Sequence, residues 1–489
     1  MGVVEAPHYG KEGLGWLREK KSIKKLSTIK KMLNESRKTR WMILFMASFI
    51  MMMGYVFWDI VSPLSTTLKT PIEEGGMGWT SAEYGFFAGS YSIFNIFLLM
   101  LFFGGIILDK MGIRFTGVLA TGLMFGGAAV NYYAVAFISP TLTVEPVFTL
   151  FGMIPDPVKT QVLVSAIGFG LFGVGCDITG ITISKIVTKW FKGYELASAM
   201  GVQVAMARLG TASAISFSPL IANQFGISAS LLVGGILLFV GLLTFFIYMV
   251  YDRRYDKEQQ RVSLAAEEKK DNSKFSFNDF LETLRNPGFW LIAFLCVFFY
   301  SSIRPFLKFA SDLMVNKYGI EEVTAGWIVS ILPYGTIILT PLFGHLYDRI
   351  GKGATLMLIG CVIVTGCHLL LALPFFHSTF FACIIMALLG IAFSLVPSAM
   401  WSSIPKIVPL KQLGTAYSII YFVQNIGLMI VPVYVGIIIG EHTVNNVTDF
   451  TIPMIIFALF GIASILLALA LKIIDKRKHY GLEEKNIVN

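Results

Sequence analysis

The sequence predicts an all-α integral membrane protein whose twelve transmembrane helices form two related six-helix halves. Three observations lead to this prediction: an apolar composition, twelve long apolar runs and a repeated loop motif. The chain has 489 residues, of which 55% are hydrophobic and 14% are charged. Soluble globular proteins carry about 25% charged residues. A chain this apolar cannot build a water-soluble surface at this length, so the composition excludes a soluble protein.

Twelve apolar runs are long enough to cross a bilayer, which takes about 20 residues of helix. Backbone groups find no water in the hydrocarbon region, so each run is expected to be helical. The cysteines fall inside these runs without a CxxC pair or a His/Cys cluster, so we predict no disulfide, metal site or cofactor. The predicted spans one to twelve lie near residues 41–66, 82–108, 113–137, 162–189, 194–222, 227–251, 287–316, 323–347, 353–374, 379–405, 411–440 and 450–474.

The polar stretches between these runs divide the chain into five parts. Apolar residues spaced among the lysines of positions 14–33 are typical of an amphipathic helix on a membrane surface, and a basic tail without regular structure is the alternative. The five parts are a basic N-terminal segment (1–40), the first six-helix half (41–251), a polar linker (252–286), the second six-helix half (287–474) and a tail (475–489).

The basic residues are distributed unevenly across the membrane. Of the 39 Lys and Arg residues, 33 fall on the side of the termini and the linker, and only Lys69, Lys159 and Lys317 fall on the other. This bias predicts that both termini are cytoplasmic. It also explains the net charge of +9, because basic loops face anionic lipids. We therefore expect a lipid bilayer and a small-molecule substrate as partners, and no nucleic acid.

The loop between spans two and three recurs between spans eight and nine. Residues 105–114 read GIILDKMGIR, and residues 344–353 read GHLYDRIGKG. The glycines suit a tight turn between closely packed helices. The acids would hold the cytoplasmic side shut through basic groups or helix ends, and a static turn is the alternative. The candidate gating residues are Gly105, Asp109, Lys110, Gly112, Arg114, Gly344, Asp348, Arg349 and Gly351.

The repeat continues beyond this loop at a different offset. Gly173 matches Gly390, and Gly210 matches Gly427, so the first half must carry an insertion upstream of them. Residues 138–161, predicted to be extracellular, supply that insertion. Two halves related by such a parallel repeat place a substrate site between them, near the bilayer midplane.

Four charged residues inside the spans are candidates for binding a substrate, because a charge is costly in the bilayer and usually marks function. They are Asp59 in span one, Asp177 in span four, Arg208 in span five and Arg304 in span seven. A helical rise of about 1.5 Å per residue puts Asp177 and Arg208 near the midplane on adjacent spans, so we expect them to meet. Together they suit the two charges of a zwitterion, and a structural ion pair is the alternative. Snorkelling accounts for Lys308, nearer the outside.

Uncharged cavity candidates follow from the repeat and from local spacing. Asp177 maps onto Ser394 and Arg208 onto Asn425 in the second half. Polar groups one turn apart on spans two and eleven, with three aromatic side chains, complete the predicted cavity, and ordinary packing is the alternative for each. These candidates are Tyr91, Asn95, Tyr421, Gln424, Asn425, Trp58, Tyr300 and Trp401.

The pattern G-x-x-x-D-[RK]-x-G-x-[RK] in both halves resembles the signature loop of the major facilitator superfamily. Residues 189–210 (KWFKGYELASAMGVQVAMARLG) and 413–428 (LGTAYSIIYFVQNIGL) resemble the lysosomal dipeptide transporter family, major facilitator superfamily domain-containing protein one. The resemblance implies that fold and alternating-access transport of dipeptides. It also implies that Asp177, a glutamate in the family, and Arg208 contact the peptide termini. Phe169 replaces the superfamily's usual arginine in span four, which weakens the case for proton coupling.

We therefore predict a facilitative or weakly coupled transporter, a uniporter, of dipeptides or similar zwitterions. The alternatives are a proton-coupled symporter of small organic anions and a transport-inactive receptor or scaffold. An enzyme is not expected, because the sequence shows no nucleophile–base pair. We expect a monomer in a bacterial inner membrane, while a lysosomal or other eukaryotic membrane and an accessory subunit remain alternatives.

Overall fold

The computed structural model describes residues 33–191, 194–266, 284–375, 377–409, 413–444 and 447–485. The predicted amphipathic segment at 14–33 thus lies outside the described residues apart from its last residue. The first half contains α1 (Arg37–Asp59), α2 (Ser65–Lys69), α3 (Ser81–Ser90), α4 (Ile93–Phe97), α5 (Met100–Phe137), α6 (Thr160–Phe191), α7 (Leu196–Phe225) and α8 (Ile227–Ala266). The second half contains α9 (Pro287–Tyr318), α10 (Glu322–Ile350), α11 (Gly353–Ala372), α12 (Thr379–Ile407), α13 (Leu413–Glu441) and α14 (Thr451–Lys478). Two small antiparallel hairpins pair β1 (Thr143–Val144) with β2 (Val158–Lys159), and β3 (Thr443–Val444) with β4 (Val447–Thr448).

The predicted second span is divided into shorter pieces. Eleven helices in the described parts of the chain are long and apolar enough to cross a membrane. Span two instead runs through α3, α4 and the beginning of α5, with Leu99 in a left-handed conformation at a φ of 49°. It ends within α5 at Gly112, where φ is 80° and ψ is 171°, and span three begins there. The twelve-span, all-α membrane fold predicted from the sequence is confirmed, with α6 to α14 forming spans four to twelve.

Local signals in the sequence explain where helices begin. Thr80 and Glu83 form a reciprocal capping box before α3, in which each side chain accepts a backbone N–H of the other residue. Before α9, Asn286 accepts the N–H of Gly288, and Pro287 occupies the first turn. These caps satisfy N–H groups that have no partner inside the helix.

Span six is longer than predicted. α8 continues to Ala266, so the first part of the expected polar linker is helical. The physical reason is a charge cluster: Asp252 and Asp256 on α8 form ion pairs with Arg114 on α5 and Lys189 on α6. The cluster joins the ends of spans three, four and six, which keeps this polar part of α8 packed against the bundle.

We call the side of the membrane that holds residues 33 and 485 the inner side, and the opposite side the outer side. The sequence predicts the inner side to be cytoplasmic. Toward the inner side of span two, α7 and α10, a Cβ atom added at Gly105, Gly201 or Gly344 would meet no atom within 4 Å. These helix ends therefore border open space.

The two halves pack closely toward the outer side. A Cβ atom added at Gly89 of α3 would collide with the carbonyl oxygen of Met429 on α13. A Cβ atom added at Gly326 of α10 would lie 2.6 Å from the carbonyl oxygen of Ile215 on α7. Spans two and eleven, and spans five and eight, thus form two tight seams, and the structure is closed on its outer side.

The insertion predicted at 138–161 begins and ends with the β1–β2 hairpin on the outer side. Within it, Met153 packs against Met429 and Val433 of α13. This loop of the first half therefore also covers part of the second half, next to the seam between spans two and eleven.

The C-terminal tail folds back onto the inner end of the second half. The N–H of Gly353 donates to the carbonyl oxygen of Leu482 at 2.8 Å. The N–H and the hydroxyl group of Thr355 donate to the carboxylate of Glu483 at 2.9 and 2.8 Å. The tail therefore ties the beginning of α11 to the region that follows α14.

Candidate functional site

The carboxylate of Asp177 lies where spans two, four and eleven meet. It accepts hydrogen bonds from the Tyr91 hydroxyl at 2.7 Å, from Asn95 Nδ2 at 2.7 Å and from Asn425 Nδ2 at 3.4 Å. Gly173, one turn before Asp177, makes this approach possible, because a Cβ atom there would collide with the carbonyl oxygen of Tyr91. Three of the predicted cavity residues thus converge on one acid.

Asn425 also joins the two halves. Its Oδ1 accepts a hydrogen bond from the Ser92 hydroxyl at 2.6 Å, and its Nδ2 donates to the carbonyl oxygen of Tyr421 at 3.0 Å. Asn95 differs, since it is 1% exposed and its Oδ1 has no hydrogen-bond partner among the described residues. The acid is therefore surrounded by amides, one of which retains an unused acceptor.

Arg208 does not meet Asp177, so the predicted contact between them is wrong. Among the described residues, no carboxylate oxygen lies within the 4.0 Å ion-pair distance of Arg208. Its guanidinium instead lies 4.4 Å from the ring centroid of Phe393 on α12. The two residues project in different directions: Asp177 faces spans two and eleven, and Arg208 faces span ten.

Arg304 approaches the same aromatic ring from the second half. Its guanidinium lies 5.5 Å from the centroid of Phe393 and 4.8 Å from the ring of Trp58. The nearest acid to Arg304 is Asp59, at 4.0 Å. The guanidinium groups of Arg208 and Arg304 therefore both lie close to the Phe393 ring. Among the described residues, Arg304 has a carboxylate within ion-pair distance and Arg208 does not.

Lys308 does not snorkel toward the membrane surface, contrary to the prediction from its position. It is 8% exposed and donates to Asp59 Oδ1 at 2.8 Å, to the Trp58 carbonyl oxygen at 2.7 Å and to the Ser62 hydroxyl at 3.0 Å. The hydroxyl of Thr211 donates to the other oxygen of Asp59 at 2.9 Å. The physical reason for the burial of Lys308 is thus its ion pair with Asp59, a buried acid on span one.

The predicted aromatic residues form two separate groups. Trp58 stacks on Tyr91 at 4.2 Å between centroids, in the first half. In the second half, Trp401 stacks on Tyr421 at 5.0 Å and donates its Nε1–H to the Tyr300 hydroxyl at 3.2 Å. The predicted aromatic residues thus form one group in each half.

A small cavity connects the Trp58–Tyr91 stack with the Asp59 ion pair. The predicted cavity residue Gln424 does not line this cavity. Its Oε1 instead accepts a weak hydrogen bond from Cys296 Sγ at 3.6 Å. The cavity is lined by Trp58, Asp59, Ala88, Tyr91, Arg304, Pro305, Lys308, Leu428 and Pro432.

The repeated loop has the same backbone feature in both halves. Gly112 and Gly351 adopt positive φ values of 80° and 67°, which glycine tolerates. Arg114 contacts acids of its own half, as described above. The side chains of Lys110 and Arg349 are exposed, and that of Asp109 lies outside the described residues. The proposed gating role of the loop stays a prediction.

Several site residues were missed by reasoning from the sequence. Lys308 lies one turn after Arg304 on α9, and Tyr55 lies one turn before Asp59 on α1, so helical spacing offered a signal for both. The guanidinium of Arg304 lies 5.6 Å from the Tyr55 ring. Phe393 precedes Ser394, the repeat partner of Asp177, but its contact with two arginines had no sequence signal.

The architecture now has twelve spans in two repeated halves with a polar site between them. The family model described as Major Facilitator Superfamily matches residues 137–313 and 303–486. The chain belongs to the major facilitator superfamily. It is accordingly a multi-pass membrane transporter, which confirms the superfamily resemblance seen in the repeated loop.

Similar proteins agree with this assignment. The lysosomal dipeptide transporter MFSD1 of Bos taurus is 24% identical over 434 residues, which are 86% of this chain and 84% of that protein. MFSD1 of Gallus gallus is 28% identical over 286 residues, but the match spans only 62% of that protein. The crystal structure of the nucleoside transporter NupG has a TM-score of 0.61 at 14% identity, covering 89% of this chain and 99% of NupG. The structural similarity concerns the fold alone.

Proposed function

We propose that this superfamily member transports dipeptides or similar zwitterions by alternating access, as a facilitative or weakly coupled transporter. The observation that carries the proposal is the separation of opposite charges at the centre of the interface. One end presents the carboxylate of Asp177, and the other presents the guanidinium groups of Arg208 and Arg304. A zwitterion carries the complementary pair of charges.

The basic end favours a carboxylate ligand. Arg208 contacts an aromatic ring and, among the described residues, has no acid within 4.0 Å. A cation inside a membrane span is costly without a counter-charge, and arginine binds carboxylates through paired hydrogen bonds. The carboxyl terminus of a short peptide would supply this missing negative charge to Arg208 and Arg304.

The acidic end favours an ammonium group. Asp177 presents carboxylate oxygens, and the unpartnered Oδ1 of Asn95 is a further acceptor beside them. An ammonium group has three donors and no acceptor, so it fits a site made of acceptors. The relatives named as dipeptide transporters support the same substrate class, although they are distant in sequence.

A proton-coupled symporter of small organic anions is the second candidate, and the charge balance supports it. The centre contains two acids, Asp59 and Asp177, and three bases, Arg208, Arg304 and Lys308. This leaves one formal positive charge for an anion. A transport-inactive receptor is the third candidate. It would bind the ligand but would not carry it across the membrane.

Uptake into proteoliposomes tests these candidates. We expect alanyl-alanine uptake that is insensitive to an imposed pH gradient. Uptake of lactate that needs an inward proton gradient, without dipeptide uptake, would favour the symporter, and binding without flux would favour the receptor. Arg208→Ala is expected to abolish dipeptide uptake. Arg253→Ala, which removes an exposed arginine of α8, is the matched control and should transport normally.

The cellular setting is part of the same proposal. The charge bias supports an inner side that faces the cytoplasm. A bacterial inner membrane and a monomeric state are further parts of the proposal, and the charge bias does not bear on them. Protease accessibility of an added C-terminal tag in intact and permeabilised cells would test the orientation, since cleavage in intact cells contradicts it.

A further inference from the structure

Asn425 contacts the acid of the site from the opposite half of the protein. Its Nδ2 lies 3.4 Å from Asp177 Oδ2 and 3.0 Å from the carbonyl oxygen of Tyr421. The contact with Asp177 is the longest of the three hydrogen bonds to that carboxylate. Because Nδ2 keeps a second acceptor on its own helix, Asn425 can release Asp177 without losing every hydrogen bond.

The same carboxylate oxygen adjoins an acceptor that lacks a donor. Asn95 Nδ2 donates to Asp177 Oδ2 at 2.7 Å, and Asn95 Oδ1 has no partner among the described residues. Buried polar atoms without partners are uncommon and point to a missing interaction. An ammonium group placed here would donate to both Asp177 and Asn95, and it would compete with Asn425 for the carboxylate.

We infer that Asn425 is a latch that the ammonium group of a ligand displaces from Asp177, and that this displacement frees span eleven from span four. The inference rests on the proposed function, since it assumes a ligand with an ammonium group. The inference gives Asn425 a positioning role, which its place as the repeat counterpart of Arg208 does not predict.

The exchange is favourable on physical grounds. An ammonium group adds the attraction between two opposite charges to its hydrogen bond with the carboxylate, whereas the amide of Asn425 is uncharged and its contact with Asp177 is 3.4 Å long. The release acts on the outer seam, because Asn425 lies on the same helix as Met429, which packs against Gly89 of span two. The hydrogen bond from the Ser92 hydroxyl to Asn425 Oδ1 then remains between spans eleven and two.

Binding measurements on the full-length purified protein test the latch. Alanyl-alanine carries a free ammonium group, and N-acetyl-alanyl-alanine lacks it but keeps the carboxylate. In Asn425→Ala the competitor is removed, so we expect the Kd of alanyl-alanine to fall about threefold, the factor expected for one weak hydrogen bond. The Kd of the acetylated peptide should not change. Gln424→Ala is the matched control, because Gln424 contacts Cys296 and not Asp177.

A conformational measurement separates a latch from a purely structural role. Val433 is 1% exposed and packs at the seam against Gly89. In a Val433→Cys background, alanyl-alanine should speed labelling by a hydrophilic maleimide, and the acetylated peptide should not. Asn425→Ala should raise labelling without ligand and remove most of the ligand response.

Two results would overturn the latch. If Asn425→Ala lowers the Kd of both peptides by the same factor, the substitution has a general structural effect. If it changes neither Kd, Asn425 does not compete with the ammonium group for Asp177. If wild-type protein binds alanyl-alanine but either result is found, only the latch fails. If wild-type protein binds no dipeptide, the proposed function fails together with the latch.

Discussion

The ion pair between Asp59 and Lys308 crosses from α1 in the first half to α9 in the second. The two residues are 1% and 8% exposed, and their charged atoms lie 2.8 Å apart. Substituting Lys308→Met keeps the unbranched side chain to within one heavy atom and removes its charge. We expect this change to weaken the outer-closed arrangement, because Asp59 then remains buried between the halves without its principal partner.

The structure allows the size of this effect to be worked out. Removing one member of a buried ion pair costs about 3–5 kcal/mol. Arg304 at 4.0 Å and the Thr211 hydroxyl at 2.9 Å still contact Asp59, so the lower value of about 3 kcal/mol applies. Opening of the outer side hydrates Asp59 and removes that cost, so the open population should rise about 100-fold. The double variant with Asp59→Asn leaves no unpaired charge and should show a much smaller shift.

Maleimide labelling of Val433→Cys reports the opening, since Val433 is buried at the outer seam. The labelling rate should rise about 100-fold in Lys308→Met and return most of the way in the double variant. Lys317→Met is the control, because Lys317 on the same helix donates to the Leu373 carbonyl oxygen at 2.7 Å and not to an acid across the interface. An unchanged rate in Lys308→Met, or a double variant as fast as the single one, would refute the reasoning.

Two further predictions concern the inner loops. Gly112→Ala should lower the free energy of unfolding by about 1–3 kcal/mol, because its φ of 80° and ψ of 171° fall in a region that is nearly restricted to glycine. Gly105→Ala is the control and should not lower it, because Gly105 is helical and a Cβ atom there would meet no neighbouring atom. Chemical denaturation of both variants in micelles measures the difference. Glu483→Ala removes both hydrogen bonds from Thr355 and should lower the melting temperature without changing the Kd for dipeptide. A changed affinity would contradict a purely structural tail.

The twelve spans and the repeat could be predicted because both depend on local patterns. Length and hydropathy alone locate a helix in lipid, and glycines at fixed spacing mark the repeated turn. The division of span two at Leu99 could not be predicted, because a left-handed leucine has no sequence signature. The continuation of α8 to Ala266 could not be predicted either. In the sequence, Asp252 and Asp256 look like the charged residues of a polar linker, and their partners on other spans become known only from the structure.

The rise per residue predicts a depth for each charged residue, but it does not predict the direction in which the side chain points. The rise per residue places Asp177 and Arg208 at similar heights, yet a shared height leaves the rotation of each helix open. Packing determines that rotation, and it turned Asp177 toward Asn425 and Arg208 toward Phe393. The snorkelling prediction for Lys308 is wrong for the same reason. Its depth allowed the side chain to reach the outer surface, but the packing of span one places Asp59 beside it.

The charges divide unequally between the halves, and under the proposed function this division suits a zwitterion better than a simple anion. Arg208 from the first half and Arg304 from the second both lie within 5.5 Å of the Phe393 ring, so their repulsion acts between the halves. A ligand carboxylate removes that repulsion and draws the halves together at the site. In the proposed latch, an ammonium group on Asp177 has the opposite effect on the outer seam, because it releases Asn425. In the proposed cycle a zwitterion therefore promotes both closing around the ligand and opening toward the outer side, whereas an anion promotes only the first.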